Sequence, residues 1–404
     1  MKQSQIHLST SKRGTGYLLA MIVVMLLASA CSTSDSAGNT STTATTNSSD
    51  PVVKAAQEIV DKAYGDGYSE EPPASGPAAQ EGKNVWFVSC GESFASCHQM
   101  TGSFKDAATA LSWKATTCDS KANQQTAGNC IRQALAAGAD GIISVNAQCP
   151  NIKSSLLAAK KQGVPVVNYL GLDCDAAGVG GTGEPLFSAS PKVFGSTNLE
   201  KYFSEWAKVR ASYIIAKTGG KATILNMNEN SAPLLKHVNE VFLATIKTCS
   251  GCKVIDAPFS VSQFPQPAVQ QLKSAMLAHP EATVVSNSVD SAMPLGLSSA
   301  IAQVQKSRAK PYDLVAGAEG GSANFDLIRQ GLQTSAVARA DVQSIWGTAD
   351  VLNRLFAGET AESMPNEGGS LQLIDKDHNL PATGEQFTSA IDFESAYKKV
   401  WNGE

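Results

Sequence analysis

Nine cysteines are the residues of this chain with the widest choice of chemistry. A thiol can carry lipid, pair with another thiol, exchange electrons or hold a metal. Cys31 stands apart from the rest. It follows Leu27-Ala28-Ser29-Ala30 at the end of a short apolar run, 17–30, and precedes a tract of Ser, Thr, Asn and Gly that reaches residue 50. Small residues ahead of it suit a signal peptidase, and its thiol is the expected lipid acceptor. The other eight form an even set: Cys90, Cys97, Cys118, Cys130, Cys149, Cys174, Cys249 and Cys252. In an exported chain this suggests disulfides, which sequence alone leaves among about 105 connectivities. The simplest proposal joins neighbours: 90 to 97, 118 to 130, 149 to 174 and 249 to 252. Cys249-Ser-Gly-Cys252 has the spacing of a redox pair. It lies between a helical pattern and a strand, however, and does not open a helix that would lower a thiol pKa. Cys90, Cys97 and His98 offer part of a zinc set, but the chain has only 5 His and no paired CxxC or HxxxH to complete it. No metal and no cofactor are expected.

The remaining candidate residues suit binding better than catalysis. There is no GxSxG, HExxH or GxxxxGK[ST]. Gly178-Val-Gly-Gly-Thr-Gly183 is superficially like a phosphate loop, but it runs into Glu184-Pro185 and opens no helix. Glu92 and His98 would make an acid/base pair without a nucleophile, so no enzyme is expected. Glu229, Asp290 and Glu319 lack the close spacing of a calcium loop. More informative are the polar and aromatic residues that close short apolar runs. These are Glu92, Ser93 and Phe94; Asn146 and Gln148; Asn168 and Tyr169; Asn228, Glu229 and Asn230; Asn287 and Asp290; and Glu319. Amides and carboxylates supply fixed donors and acceptors, and aromatic rings supply flat faces. Any one of them taken alone also suits a turn, which Asn and Asp favour.

The elements that position these residues alternate. Strands are expected at 84–89, 114–118, 141–145 and 164–169, with helices at 103–113, 126–137 and 152–161 between them. A second series has strands at 221–226, 253–257, 283–287 and 313–316, with helices at 199–217, 232–247, 268–278 and 293–305. Alternation of this kind means parallel sheets covered on both faces, with ligands outside the carboxyl ends of the strands. Before the first series, 51–64 has the spacing of a short amphipathic helix, and 65–82 is rich in Gly, Pro, Ser and Glu and reads as a linker.

Length and composition fit two such units. Without the apolar run and tether, about 350 residues remain, more than one core usually organises. The net charge of −4 and the absence of a long basic run argue against nucleic acid. Lys2, Lys12 and Arg13 precede the apolar run, which at 17–30 is short for a membrane span. The tract from 32 to 50 has no apolar periodicity and is expected to be a flexible tether.

The chain resembles a type I periplasmic binding protein of the ribose/galactose class over about 83–358. The resemblance is carried by the run Val85 to Phe94, by Gly138-Ala-Asp-Gly-Ile-Ile-Ser-Val-Asn146 and by Gly163-Val-Pro-Val-Val167. Further carriers are His279-Pro-Glu-Ala-Thr-Val-Val-Ser-Asn287 and Val315-Ala-Gly-Ala-Glu319. The sequence ending at Cys31 resembles a bacterial lipoprotein lipobox, with Leu27 one place early. The resemblance implies an α/β fold of two doubly wound parallel-sheet lobes joined by a three-strand hinge. After a signal peptide, 1–30, and an anchor, tether, helix and linker, 31–82, the first lobe would take 83–197 and about 340–370. The second would take 198–339 and about 371–404. The ligand would lie between the lobes among Phe94, Asn146, Tyr169, Asn230, Asn287, Asp290, Glu319 and Arg339. Sugar binders of this class carry Asp-Arg after the fourth strand, where this chain has Leu170-Gly171, and no arginine stands near Lys236, His237 or Val238. The implied protein is a monomeric, lipid-anchored solute-binding protein outside the cytoplasm, handing a sugar or sugar-like ligand to an ABC permease. A ligand-sensing receptor subunit, or a binder of nucleosides or aromatic acids, is the alternative.

Overall fold

The computed structural model describes residues 50–404 apart from Gly180 and Thr182. The apolar run, Cys31 and the tether up to residue 49 lie outside the described residues. No helix among the described residues is long and apolar enough to cross a membrane.

Helix α1 (Pro51–Tyr64) starts where the sequence invites it. The Asp50 side chain accepts from the Val52 N–H at 2.8 Å, and proline occupies the first helical position. Val53, Ala56, Val60 and Ala63 are buried, and the helix packs against α5 (Glu200–Lys217). The segment that follows is seated, unlike the linker its composition predicts. Strand β1 (Ser69–Glu70) pairs with β11 (Gly369–Asp375), and Arg354 and Asn353 donate to the carbonyls of Ser75, Pro77 and Ala78. Proline and glycine suit an extended chain as well as a mobile one. Here buried side chains take up the backbone acceptors that water would otherwise satisfy.

The first sheet is wholly parallel. It contains β2 (Asn84–Ser89), β3 (Lys114–Asp119), β4 (Gly141–Val145) and β5 (Val166–Tyr169), in the order β3-β2-β4-β5. Helices α2 (Ala95–Ala110), α3 (Gln124–Ala136) and α4 (Cys149–Gln162) connect them. Strands β4 and β5 are buried along their whole length, as strands covered on both faces must be. Gly163 ends α4 at φ 71°, a left-handed conformation that glycine adopts without strain.

The second sheet has β6 (Ala222–Glu229), β7 (Cys252–Phe259), β8 (Val284–Asn287), β9 (Leu314–Ala316) and β10 (Ser335–Arg339) in parallel. Helices α6 (Pro233–Lys247), α7 (Ala268–Ala278), α8 (Ser298–Ser307) and α9 (Ser322–Arg329) alternate with them. After β10 the chain crosses over. Helix α10 (Asp341–Phe356) packs on α2, β4 and β5, and the chain then returns as β11, antiparallel to β10. The second sheet is therefore mixed at this edge, in the order β1-β11-β10-β9-β8-β6-β7. The tail is divided between the two halves. Strand β11 joins the second sheet, while α11 (Phe393–Trp401) lies on α10, with Trp401 stacked on Trp346 at 5.3 Å and donating to Asp350 at 2.7 Å.

Two expected helices differ in their starts. Helix α2 begins at Ala95, well before 103, its first turns extending the buried face of Phe104 and Ala107 through Cys97 and Met100. The helix expected at 293–305 begins as a wider turn, Met293–Leu297, broken at Gly296 (φ 114°), and becomes regular only at Ser298. Gly296 opposes regular helix there. The disulfides join 90 to 97, 118 to 130, 149 to 174 and 249 to 252, the neighbouring pairs suggested by the sequence.

Candidate functional site

The carboxyl ends of strands from both sheets contribute to one cavity with about 100 Å³ of room for water-sized molecules. From the first sheet come the β2–α2 loop with Phe94, Asn146 after β4, and Leu170 after β5. From the second come Glu229 at the end of β6, Val289 and Ser291 after β8, Glu319 after β9, and Arg339 at the end of β10. The two sides touch at Ser96 and Ser291, whose hydroxyls are 3.1 Å apart.

The electrostatic centre is Arg339. Its side chain is only 4% exposed, and its guanidinium lies over the Trp206 and Phe203 rings, 4.5 and 4.8 Å from their centroids. Nη2 donates to Asp341 at 3.0 Å and stands 3.6 Å from Glu319 Oε1. Burial opposes the charge of Arg339, but Asp341 and then Glu319 outweigh it and hold the guanidinium protonated. Glu319 accepts from the Ser291 N–H and hydroxyl through Oε2. Burial raises its pKa, against the opposing pull of Arg339 and these hydrogen bonds. Tyr169 donates to Asp341 at 2.7 Å. Arg339, Asp341, Glu319, Ser291 and Ser96 thus form a polar chain that runs from one side of the cavity to the other.

Four of the eight residues expected at the ligand line the cavity: Phe94, Asn146, Glu319 and Arg339. The other four lie elsewhere. Tyr169 is fully buried behind the wall, where burial pushes its hydroxyl pKa well up. Asn287 uses its amide locally, donating to the Val289 carbonyl at 2.7 Å. Asp290 accepts from Ala318 and Gly320 N–H groups and from Gln333, and its burial pushes its pKa up to about 7. Asn230 is exposed, and its backbone N–H donates to Phe259.

The lining that the sequence reading missed is mainly apolar. Met100 of α2, Phe203 of α5, Leu234 and Leu235 of α6, and the Cys90–Cys97 bridge all face the cavity. In sequence they are indistinguishable from core positions, because a helix face turned to a ligand and one turned to a sheet share the same period. Leu170, at the place where Asp-Arg would stand in a sugar binder, also lines the wall. The next residue has to be small, because a Cβ on Gly171 would fall on the Ala147 carbonyl and the Asn168 amide. His237 hydrogen-bonds Ser204 at 2.9 Å, and neither it nor Lys236 or Val238 lines the cavity. Among the described residues, the one group of possible metal ligands is Cys149, Asp173 and Cys174, and its two sulfurs are already joined.

Two α/β halves with strand ends turned to a shared cavity, and a chain that crosses between them beside an arginine in its wall, define a bilobal ligand-binding protein. The sequence matches the periplasmic binding protein domain over residues 85–360, most of the chain, so the protein belongs to that family. Family members are solute-binding components of transport systems that work outside the cytoplasm and are not enzymes. No curated protein matches the sequence. Solved structures share the fold at low identity. A glucose-galactose binding protein from Geobacillus stearothermophilus is 16% identical, with a TM-score of 0.59 over 75% of this chain and 100% of that one. The 5-methylthioribose transporter solute-binding protein of Thermotoga lettingae is 15% identical, with a TM-score of 0.59 over 78% and 98%. The arabinose transporter component of Shewanella sp. ANA-3 is 18% identical, with a TM-score of 0.54 over 78% and 95%.

Proposed function

We propose that this protein is a lipid-anchored solute-binding protein that captures a small, sugar-like ligand between its lobes and delivers it to an ABC permease. The observation that carries the reading is the cavity itself, whose wall is built from the strand ends of both sheets and from Arg339 beside the crossing. A lobe arrangement of this kind closes on its ligand, and a partner that recognises the closed form receives it. The lobes would comprise 83–197 with about 340–370, and 198–339 with about 371–404, the helix α11 packing with the first. Cys31 would carry the lipid and 32–49 the tether, and the protein would act as a monomer. The XylFII–LytSN complex is among the structures sharing the fold, and a ligand-sensing receptor subunit that contacts a protein partner is the second reading.

The test is thermal unfolding of the full chain, purified in detergent, against sugars, nucleosides and aromatic acids. A ligand held only by the folded form at a hundredfold excess over Kd adds about 2.7 kcal/mol, a shift of a few degrees. A shift with a compound from any of these groups supports the binding reading. No shift across the panel removes a small-solute role. Replacing Cys31 by Ser moves the protein out of the membrane fraction if the thiol carries lipid; unchanged fractionation refutes the anchor.

A further inference from the structure

We propose that the cavity takes an uncharged amphipathic solute, with an apolar substituent buried inside and the hydrogen-bonding part at the mouth. The inference rests on the solute-binding reading above and names the chemistry of its ligand. The inner wall is formed by carbon and sulfur: Met100, Leu170, Phe203, Leu235, Val289 and the Cys90–Cys97 bridge. The polar groups around them are largely committed. Ser96 and Ser291 meet each other, and Glu229 accepts from the backbone N–H groups of Ser231 and Ala232 at the start of α6. Glu319 Oε2 accepts from Ser291, and Arg339 Nη2 donates to Asp341. Few polar atoms of the wall are left to a ligand: Glu319 Oε1, which has only the distant Arg339 Nη2 at 3.6 Å, together with Arg339 Nη1 and the Asn146 amide nitrogen.

A free pyranose carries a hydroxyl on nearly every ring carbon. A chamber with so few open donors and acceptors would strand most of them, and each stranded group weakens binding. A more polar lining lies next door. A vestibule lined by Gln124, Asn146, Gln148, Asn151, Ser231 and Ser260 adjoins the chamber and shares Ala122, Asn146, Ala232 and Val261 with it. Amides and hydroxyls at the mouth, with hydrocarbon walls beyond, match a ligand that is polar at one end and apolar at the other. Charge narrows the choice further. Glu229 and Glu319 line the cavity with Arg339, whose charge Asp341 already pairs from behind the wall. An anion would face more carboxylates than it could balance, so the polar end is uncharged.

The experiment compares matched pairs by titration calorimetry on the full chain in detergent: ribose with 5-methylthioribose, and galactose with phenyl β-galactoside. Phenyl β-glucuronide serves as the anionic control. The expected result is that each apolar-substituted member binds at least tenfold tighter than its free sugar, and that the glucuronide binds at least tenfold weaker than the galactoside. Leu235→Gln, at a half-buried wall position, should cut the advantage of the substituted members while leaving the melting temperature within a few degrees. Equal or tighter binding of the free sugars overturns the apolar chamber and leaves the solute-binding reading intact. Binding of neither member of a pair also overturns it, and the wider panel above then decides the solute-binding reading separately.

Discussion

Replacing Arg339 by Leu tests whether the polar chain across the cavity holds the structure together. The guanidinium is 4% exposed, while the side chains of its partners Asp341 and Glu319 are 10% and 16% exposed. Leucine roughly fills the stem but leaves two buried carboxylates facing each other without a cation. Removing one partner of a buried ion pair costs about 3–5 kcal/mol. Loss of the contacts with Trp206 and Phe203 adds about 1 kcal/mol. The expected loss at pH 8 is therefore about 4–6 kcal/mol, or roughly 5–8 °C in melting temperature for a chain of this size. The loss depends on pH with a definite sign. Without Arg339, Glu319, whose pKa burial already raises, holds its proton to higher pH in the folded state than in the unfolded one, so the variant gains stability as the pH falls. At pH 5 the gap to the parent protein narrows. Adding Glu319→Gln to Arg339→Leu should recover about 1–3 kcal/mol, since the two sites share one interaction. Urea and thermal unfolding at both pH values provide the measurement. A loss below about 1 kcal/mol at pH 8, or the same loss at pH 5 and pH 8, refutes the electrostatic account.

The parent protein should lose stability as the pH rises from 5 to 8. Burial raises Asp290 from 3.8 to about 7 and also raises Glu319, Glu367, Asp350 and Asp173. Between those two values the folded protein keeps a proton on Asp290 that the unfolded chain has released, so stability is full below the lower value and is lost as the pH passes the upper one. Asp290→Asn should flatten the melting temperature against pH over this window, and an unchanged slope would assign the effect to the other acids. Truncation through Tyr64 removes α1 and uncovers the face of α5 beneath Val53, Ala56, Val60 and Ala63. Area arguments put the loss at roughly 4 kcal/mol, and a truncated chain with the parent urea midpoint would show that α1 is not part of the folded unit.

The sequence was most legible where apolar runs were short and ended in polar residues. The parallel strands and the loops after them carry the fold, and Phe94, Asn146, Glu319 and Arg339 all reach the cavity from strand ends. Tyr169, Asn287 and Asp290 occupy equivalent places but turn their polar atoms to Asp341, to Val289 and to the Ala318–Gly320 turn. Sequence does not separate an amide or acid that satisfies its own turn from one that is open to a ligand, because turn chemistry favours the same residues. The apolar lining was hidden for the converse reason. Phe203 sits beside Tyr202 and Trp206 in the aromatic face of α5, and periodicity assigns all three to the core. The seating of 65–82 was illegible because it depends on buried partners, Asn353 and Arg354, almost three hundred residues away in sequence.

The placement of α1 has a mechanical consequence. Gly220, in the turn leading into β6, would bring a Cβ to 3.1 Å from Val53 and 3.9 Å from Asp50. The described chain therefore begins at the amino end of the second sheet, on the side away from the strand ends that form the cavity. A pull applied upstream of Asp50 is met first by the packing of α1 on α5. The same helix also lies on the crossing strand β11, and the chain beyond it continues into β1 at the edge of the second sheet. A load applied there falls on the amino side of the second sheet, opposite the strand ends that form the cavity. Molecules fixed to a surface should take up solute with the same affinity as molecules in free solution.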